Sequence, residues 1–456
     1  MKIDLLVAEI GSTTTVVNAF NMINTNPEFI GQGQSNTTVI DGDVNIGLEN
    51  AIKNLGEYLN AESITYNELL ATSSAAGGLR VTVHGLVYDM TVKAAKEAAL
   101  GAGANIKMVT AGKLRKSDLK KIQEINPNII IIAGGVDYGE RDTAIYNSHL
   151  IKSLNLNIPI IYAGNIENID EIKEIFQSSN SELHIAENVY PKIDELNIEP
   201  TRGIIQDVFE AHIVHAPGME NIRTMVNGTI MPTPGAVMKA TELLYNHIGN
   251  LITIDVGGAT TDIHSVCEES PDIGKILANP EPLAKRTVEG DLGVFINIKN
   301  LIQLIGEEKI KNSLSISEEE LLNLINNKDP IPKTDLEIDF IHLLTFHAGE
   351  IALKRHVGKI KELYGPSGKI TIAEGKDLSG IKFIIGTGGA LTRLPNKEDI
   401  LNRLKDIRQK NLLLPNNEAL VLVDKNYIMA SLGVMSKKYP NIALDLLLQS
   451  LDISYA

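Results

Sequence analysis

Tryptophan is absent from this sequence and aromatic residues make up only 4% of it, so the interior has to be assembled from Ile, Leu, Val and Ala. Buried parallel strands under covering helices are usually built from those side chains, which favours an α/β architecture. Cysteine is nearly absent as well. Cys267 stands alone, which excludes an intrachain disulfide and fits a reducing compartment; its thiol reads as a small buried apolar group. Positive charge is in deficit: a formal net charge of -15 argues against a large footprint on a nucleic-acid backbone. No stretch approaches the roughly 18 apolar residues of a membrane span, and Asp4 and Glu9 interrupt the short apolar run at the N-terminus. Neither a span nor a signal peptide is therefore expected. Together these absences point to a cytoplasmic chain whose partners are proteins or small ligands.

What is present is an ordinary globular balance, 43% apolar and 22% charged, spread over 456 residues. One hydrophobic core stops growing at roughly 250 to 300 residues, so at least two domains are expected. Ile3 to Phe20 reads as strand, small-residue turn, strand, and Leu251 to Val266 repeats that unit. Helices are expected over Ile46 to Leu59, where apolar groups recur at helical spacing, over Val92 to Leu100, which is Ala-rich with Lys and Glu, over the amphipathic Ala236 to Tyr245, and over Asn426 to Lys437. Pro127 to Ala133, Ile158 to Ala163 and Leu183 to Ala186 are short apolar runs alternating with helical stretches, the pattern of βαβ units. Gly306 to Asp335 is rich in Glu, Asn and Lys with Leu at helical spacing, which predicts a solvated helical insertion. A domain boundary falls near residue 248, just ahead of the second hairpin.

The chemistry lies in the two hairpins. Glu9-Ile-Gly-Ser-Thr-Thr-Thr15 and Asp255-Val-Gly-Gly-Ala-Thr-Thr261 share one order: an acid, an aliphatic residue, Gly, two small residues, then Thr-Thr. Gly11 and Gly257 free the backbone and let it approach a ligand, and successive amides at such a turn make a concavity for anions. Ser12, Thr13 and Thr14, and in the other copy Gly258, Ala259 and Thr260, complete the two turns. Glu9 and Asp255 end the preceding strands where they can hold Mg²⁺ through water, and Asp262 adds a further carboxylate. Each turn alone is an ordinary Gly/Ser/Thr hairpin; the repetition across half the chain gives the pair its weight. A third element, Gly386-Thr-Gly-Gly389, follows the apolar strand Ile381 to Ile385 into a helix expected near Ala390, a turn suited to a ribose or phosphate. Leu391 stands where the third Gly of G-x-G-x-x-G would be, so it is not the dinucleotide fingerprint.

These three motifs, in this order, resemble the actin, sugar kinase and Hsp70 ATPase superfamily. The resemblance implies two RNase H-like domains around a nucleotide cleft: residues 1–248 with an α/β insertion at about 70–200, completed by the segment 426–456, and residues 249–425 with a helical insertion at about 306–335. It implies ATP and Mg²⁺ as ligands. The hairpins become the phosphate motifs and Gly386, Thr387, Gly388 and Gly389 the adenosine motif. The superfamily usually opens its first motif with Asp; this chain has Glu9, one methylene longer. Lys354 and Arg355 could flank the adenine, although Glu350 and Lys354 also make an ordinary i,i+4 ion pair.

Further stretches narrow the likeness. Ser73-Ser-Ala-Ala-Gly-Gly-Leu79, Ile132-Ala-Gly-Gly135, Pro232-Thr-Pro-Gly-Ala236, Arg286-Thr-Val-Glu-Gly-Asp-Leu-Gly293, Lys354-Arg-His-Val-Gly358 and Met429-Ala-Ser-Leu-Gly433 look like the MutL-like family, accessory proteins of adenosylcobalamin-dependent glutamate mutase. A relative found beside ornithine aminomutase is similar. The family resemblance implies an ATP-dependent reactivating factor or chaperone, a weak ATPase, whose partner is an adenosylcobalamin-dependent aminomutase. The rivals are a small-molecule kinase on the same scaffold and a non-hydrolysing scaffold that senses nucleotide. Asp262-Ile-His264 begins like the cobalamin motif D-x-H-x-x-G, but Cys267 occupies the Gly position, so no corrinoid is expected on this chain. His212 with His215, and His342 with His347, lack the further ligands of a zinc site and read as structural.

Overall fold

Two aliphatic runs separated by Gly-Ser-Thr fold back on each other at the N-terminus, so that β1 (Lys2–Ile10) pairs antiparallel with β2 (Thr14–Asn21). The structure is a computed structural model that describes residues 1–21, 25–38, 42–74, 79–213, 218–327, 329, 331–365 and 368–453. Residues 75–78 of the Ser73 to Leu79 stretch, His215, and residues 454–456 of the C-terminal segment lie outside the described residues. β3 (Glu28–Asn36) continues the antiparallel ladder. The chain then crosses through α1 (Val44–Tyr58) to β4 (Thr65–Ser73), which lies parallel to β1. Val44, Leu48, Ala51 and Leu55 recur at helical spacing and are buried, while Asp43 caps the helix by accepting from the amide of Asn45.

A separate sheet follows. β5 (Leu79–Gly85), β6 (Ala104–Ala111), β7 (Ile129–Ile132), β8 (Ile160–Tyr162) and β9 (Leu183–Ile185) are all parallel, in the order β6-β5-β7-β8-β9. Between successive strands run α2 (Lys93–Gly101), α3 (Lys116–Ile125), α4 (Asp142–Ser153) and α5 (Ile169–Phe176), and α6 (Glu199–His212) closes the unit. The four isoleucines of β7 are all buried, as a strand covered on both faces requires. Three of these strands are legible as apolar runs. β5 is masked by Arg80, Thr82 and His84, whose polar atoms are bonded within the sheet and its connections.

After α7 (Ile222–Met225), β10 (Ile230–Pro232) rejoins the first sheet beside β4. α8 (Thr233–Ile248) starts directly, with Pro234 in the first turn where a missing amide costs nothing. The second half repeats the first: β11 (Leu251–Val256), β12 (Thr261–Val266), α9 (Pro271–Gly274) and β13 (Ala284–Glu289) build a second antiparallel ladder. The helical stretch holds α10 (Ile298–Ile305), α11 (Glu307–Leu314), α12 (Glu318–Asn326) and the long α13 (Asp335–His356), α12 and α13 each opened by a capping box, Ser317 with Glu320 and Thr334 with Glu337. An antiparallel hairpin that the sequence reading does not anticipate, β14 (Lys359–Gly365) with β15 (Gly368–Glu374), precedes β16 (Phe383–Thr387). α14 (Gly388–Arg393), α15 (Lys397–Lys405) and β17 (Leu420–Val423) complete the unit.

The strand orders are β10-β4-β1-β2-β3 and β13-β12-β11-β16-β17. In each, the third, second and first strands are antiparallel and two later strands join parallel to the first. The duplication seen in the hairpins therefore extends to whole sheets, which is the paired α/β architecture the resemblance implies. The last helices, α16 (Met429–Met435) and α17 (Pro440–Ser450), return to the first sheet, where Met429, Leu432 and Leu446 share a core with Leu5, Val7 and Phe20. Among the described residues no helix is long and apolar enough to cross a membrane.

Candidate functional site

The hairpins β1–β2 and β11–β12 close with the same turn. The Gly11 amide donates to Thr14 O at 2.9 Å and the Gly257 amide to Thr260 O at 2.9 Å. Both turns, with Glu9 and Asp255 two residues earlier on their strands, line one cleft of about 460 Å³, a size that takes a nucleotide-like ligand. Gly258, Ala259 and Asp262 line it from the second hairpin, and Ser12 and Thr13 from the first.

The second turn is braced from behind. Val294 and Phe295 amides donate to the carbonyls of Gly257 and Gly258 at 3.2 and 2.9 Å, and Asn297 Nδ2 donates to Ala259 O at 2.7 Å. Gly293 packs against Ala259 so closely that any Cβ would overlap its carbonyl. This brace explains why the Arg286 to Gly293 stretch belongs to the site, a role its composition does not reveal.

The carboxylates differ in their surroundings. Glu9 Oε1 accepts from the Tyr427 hydroxyl at 2.8 Å, whereas Oε2 is buried without a partner. Burial pushes the Glu9 carboxyl up to about 7, opposed by the Tyr427 hydrogen bond. Asp255 is raised well above the usual carboxylate range by burial and by the charges of Asp262 and Glu9. Asp262 faces Asp255 across the β11–β12 ladder, but its Oδ1 accepts from Arg286 Nε and Nη2 at 2.9 and 2.5 Å and its Oδ2 from Thr260 Oγ1 at 3.0 Å. Asp262 is thus neutralised by an arginine while Glu9 and Asp255 crowd each other.

Tyr427, Arg393 and Asp424 belong to the surroundings of this cluster, and motif reading misses all three. Arg393 stacks over the Tyr427 ring at 5.3 Å and donates to Gln32 Oε1 at 3.2 Å and to Gln34, bridging α14 and β3. Asp424, at the end of β17, accepts from the amides of Ile428 and Met429 and from the hydroxyls of Thr387 and Ser450. It caps the entry to α16, and only the tertiary structure sets it near Glu9.

The Gly386 to Gly389 turn divides. Gly386 and Thr387 are still in β16, with Gly386 packed on Leu401, and the helix begins at Gly388, two residues before the expected start. Gly388 and Gly389 line the cleft; Gly388 has φ +84 and abuts Asp255. Lys354 and Arg355 do not line it. Lys354 pairs with Glu350 at 2.8 Å, and Arg355 is drawn away to Glu289 at 2.6 Å and Asp291 at 2.8 Å. The end of the cleft beside Gly389 is instead apolar, with Ile331, Pro332, Ile338, Ile341, Leu394 and Pro395. Ser73, Ser74, Asn105 and Thr233 add polar groups to the lining.

Other candidates resolve into structure. His347 bonds Glu350 at 2.9 Å and His342 reaches Asn396 O at 3.4 Å. Cys267 is buried, which pushes its thiol up to about 11, and it contacts Asp377 O. His264 is wholly buried in β12 and held neutral by that burial. Among the described residues no group of three His, Cys, Asp or Glu is gathered tightly enough to hold a metal alone. Mg²⁺ would have to share itself between carboxylate, water and phosphate, as that ion usually does. The orphaned Glu9 Oε2 fits that use.

The raised Glu9 carboxyl has a measurable sign. Between about pH 4.5, its ordinary value, and about pH 7, the folded protein keeps a proton that the unfolded chain has released. The stabilisation is complete below the first value and is lost as pH rises through the second. Urea unfolding from pH 5 to 8 should show wild type losing on the order of 2 to 3 kcal/mol more than Glu9→Gln. Parallel pH profiles for the two proteins would show that Glu9 ionises normally.

Comparison with known proteins adds four matches. The MutL protein family model matches residues 5–451. Protein MutL of Clostridium tetanomorphum is 36% identical over 452 residues, spanning 96% of this chain and 97% of that one. Among solved structures, diol dehydratase-reactivating factor in nucleotide-free form matches with 10% identity and TM-score 0.39, over 96% of this chain and all of its own (100%). Nucleotide-free acetone carboxylase matches with 12% identity and TM-score 0.42, over 95% of this chain and 70% of that one.

Proposed function

This chain belongs to the MutL protein family, and from that premise we propose that it is a cytoplasmic Mg-ATP-hydrolysing accessory protein that reactivates an adenosylcobalamin-dependent aminomutase, such as ornithine aminomutase or glutamate mutase. The observation that carries the nucleotide part is the pair of identical turns, each with an acid two residues ahead, facing one cleft. Main-chain amides of Ser12 to Thr14 and of Gly258 to Thr260 receive the phosphates, and the Thr hydroxyls add donors. The apolar side chains of Ile338, Ile341 and Leu394, which line the same cleft, receive the adenine. Bound Mg²⁺ would supply charge neutralisation on the phosphates. Glu9 and Asp255 would hold it, and Asp255 orders the attacking water and takes up its proton. Asp262 is held by Arg286 and meets a cation only by giving up part of that contact.

The test is calorimetric titration with ATP and ADP in the presence of Mg²⁺. At Gly257 a Cβ would lie 3.2 Å from Thr260 O, tight but tolerable for the fold, whereas a larger side chain fills the space over the amides. Gly257→Val should therefore keep the fold and weaken nucleotide binding about a hundredfold or more, a loss of roughly 2.7 kcal/mol. A wild-type protein that binds no nucleotide sinks the reading. The mutase part is tested by capture of purified aminomutase with ATP or ADP present, where equal recovery in both states counts against it.

The polar lining residues Ser73, Ser74, Asn105 and Thr233 favour a second reading as a small-molecule kinase. ADP release driven by sugars or organic acids and indifferent to a mutase would select it. A protein that binds nucleotide yet shows no single-turnover hydrolysis with or without mutase would be a nucleotide-sensing scaffold.

A further inference from the structure

The α/β insertion is tied to the second hairpin by one side chain. Arg286, on β13, is 2% exposed and divides its guanidinium between two partners. Nε and Nη2 grip Asp262 Oδ1 at 2.9 and 2.5 Å. Nη1 donates to the carbonyls of Leu100 and Ala104 at 3.1 and 3.0 Å, in the turn from α2 to β6. That turn has no slack, because Gly103 at φ +97 packs against Pro232 and Gly235 at the start of α8.

The same joint is ionic and buried elsewhere. Arg202 of α6 reaches the other way, donating to Ala284 O of β13 at 3.2 Å and to Glu242 of α8 at 2.6 Å. Lys93 of α2 bonds Glu281 at 2.6 Å, which also holds Lys285 at 2.8 Å. Buried ion pairs contribute little net stability but are costly to leave half-made, so such a joint favours discrete arrangements over gradual loosening.

We infer that Arg286 is a positioning residue that couples the nucleotide cleft to the α/β insertion, with Asp262 as the shared contact. This rests on the nucleotide reading above. Asp262 cannot serve Arg286 and a cation at the phosphates equally well. When Mg-nucleotide draws on the Asp262 carboxylate, the guanidinium loses part of its counter-charge, its hold on the Leu100 and Ala104 carbonyls weakens, and the α2–β6 turn is released. The insertion then reports which nucleotide state the cleft is in. Coupling of this kind is reciprocal, so anything that holds the insertion in place weakens nucleotide binding by the same factor.

The experiment is hydrogen exchange over residues 96–106 of the full chain, without nucleotide, with Mg-ADP and with Mg-ATP, alongside calorimetry on the same samples. In wild type, Mg-ATP should speed exchange in this segment about fivefold or more, and Arg286→Gln should bind Mg-ATP about fivefold tighter with exchange already fast. A merely structural arginine predicts the opposite for the variant, weaker binding. If Arg286→Gln does not fold, the wild-type measurement still decides. Binding with unchanged exchange at 96–106 overturns the coupling and leaves the nucleotide reading standing; absence of binding overturns both.

Discussion

Replacing Gly433 with alanine should lower the stability of the protein by about 3 kcal/mol or more. α16 crosses α8 at this residue, and a Cβ there would fall inside the Ala236 carbonyl group, backbone against backbone. Neither helix can yield easily, since α16 is buried along its whole length and α8 is clamped between the two sheets. The crossing joins the C-terminal helices to the first sheet and to the connection into the second, so the damage should reach both halves. Denaturant unfolding checks it, with Gly203→Ala as the contrast: Gly203 lies on α6 with nothing within 4 Å of a Cβ, and that substitution should gain about 0.5 to 1 kcal/mol from helix propensity. Equal midpoints for the two variants would show that the helices separate without cost.

Gly388→Ala should cost about 2 to 4 kcal/mol in stability and abolish nucleotide binding. The residue has φ +84, where a side chain is strained, and its Cβ would overlap Asp255 Oδ1 and crowd the Val256 backbone. Alanine there must push the end of β11 out of register with the second turn. Gly389→Ala separates the protein's own needs from the ligand's. A Cβ at Gly389 meets nothing within 4 Å, so that variant should be as stable as wild type, and any loss of ATP affinity measures approach of the ligand itself. If Gly388→Ala binds nucleotide like wild type, the turn is not part of the site.

Much of this was legible along the chain because it is local. The hairpins are short-range objects, defined by a Gly, small residues and flanking β-branched runs, and the structure has both as read. The helix from Ile46, the isoleucine strand before Gly134 and the helical stretch after Gly306 follow from periodicity in the same way. β5 and the β14–β15 hairpin escaped because their patterns are polar. His84 and Thr82 sit fully buried by bonding one another, and most of β15 is exposed, so neither strand announces itself as apolar. The start of α14 moved two residues because Gly388, at positive φ, makes the turn itself and leaves Gly386 and Thr387 to the ladder.

The two acids of the opening motifs show where sequence stops. Order and residue type alone determined that Glu9 and Asp255 occupy equivalent places before equivalent turns, since those are properties of adjacent residues on one strand. Their charge states were decided by residues far along the chain. Tyr427 arrives at Glu9 from 418 positions away, Asp424 and Arg393 add opposing fields, and Arg286 takes Asp262 out of the open carboxylate set. Ionisation depends on desolvation and on charges a few ångströms off, and no spacing rule encodes either one. The sequence therefore determined two equivalent turns with an acid ahead of each, and the tertiary structure decided what surrounds those acids.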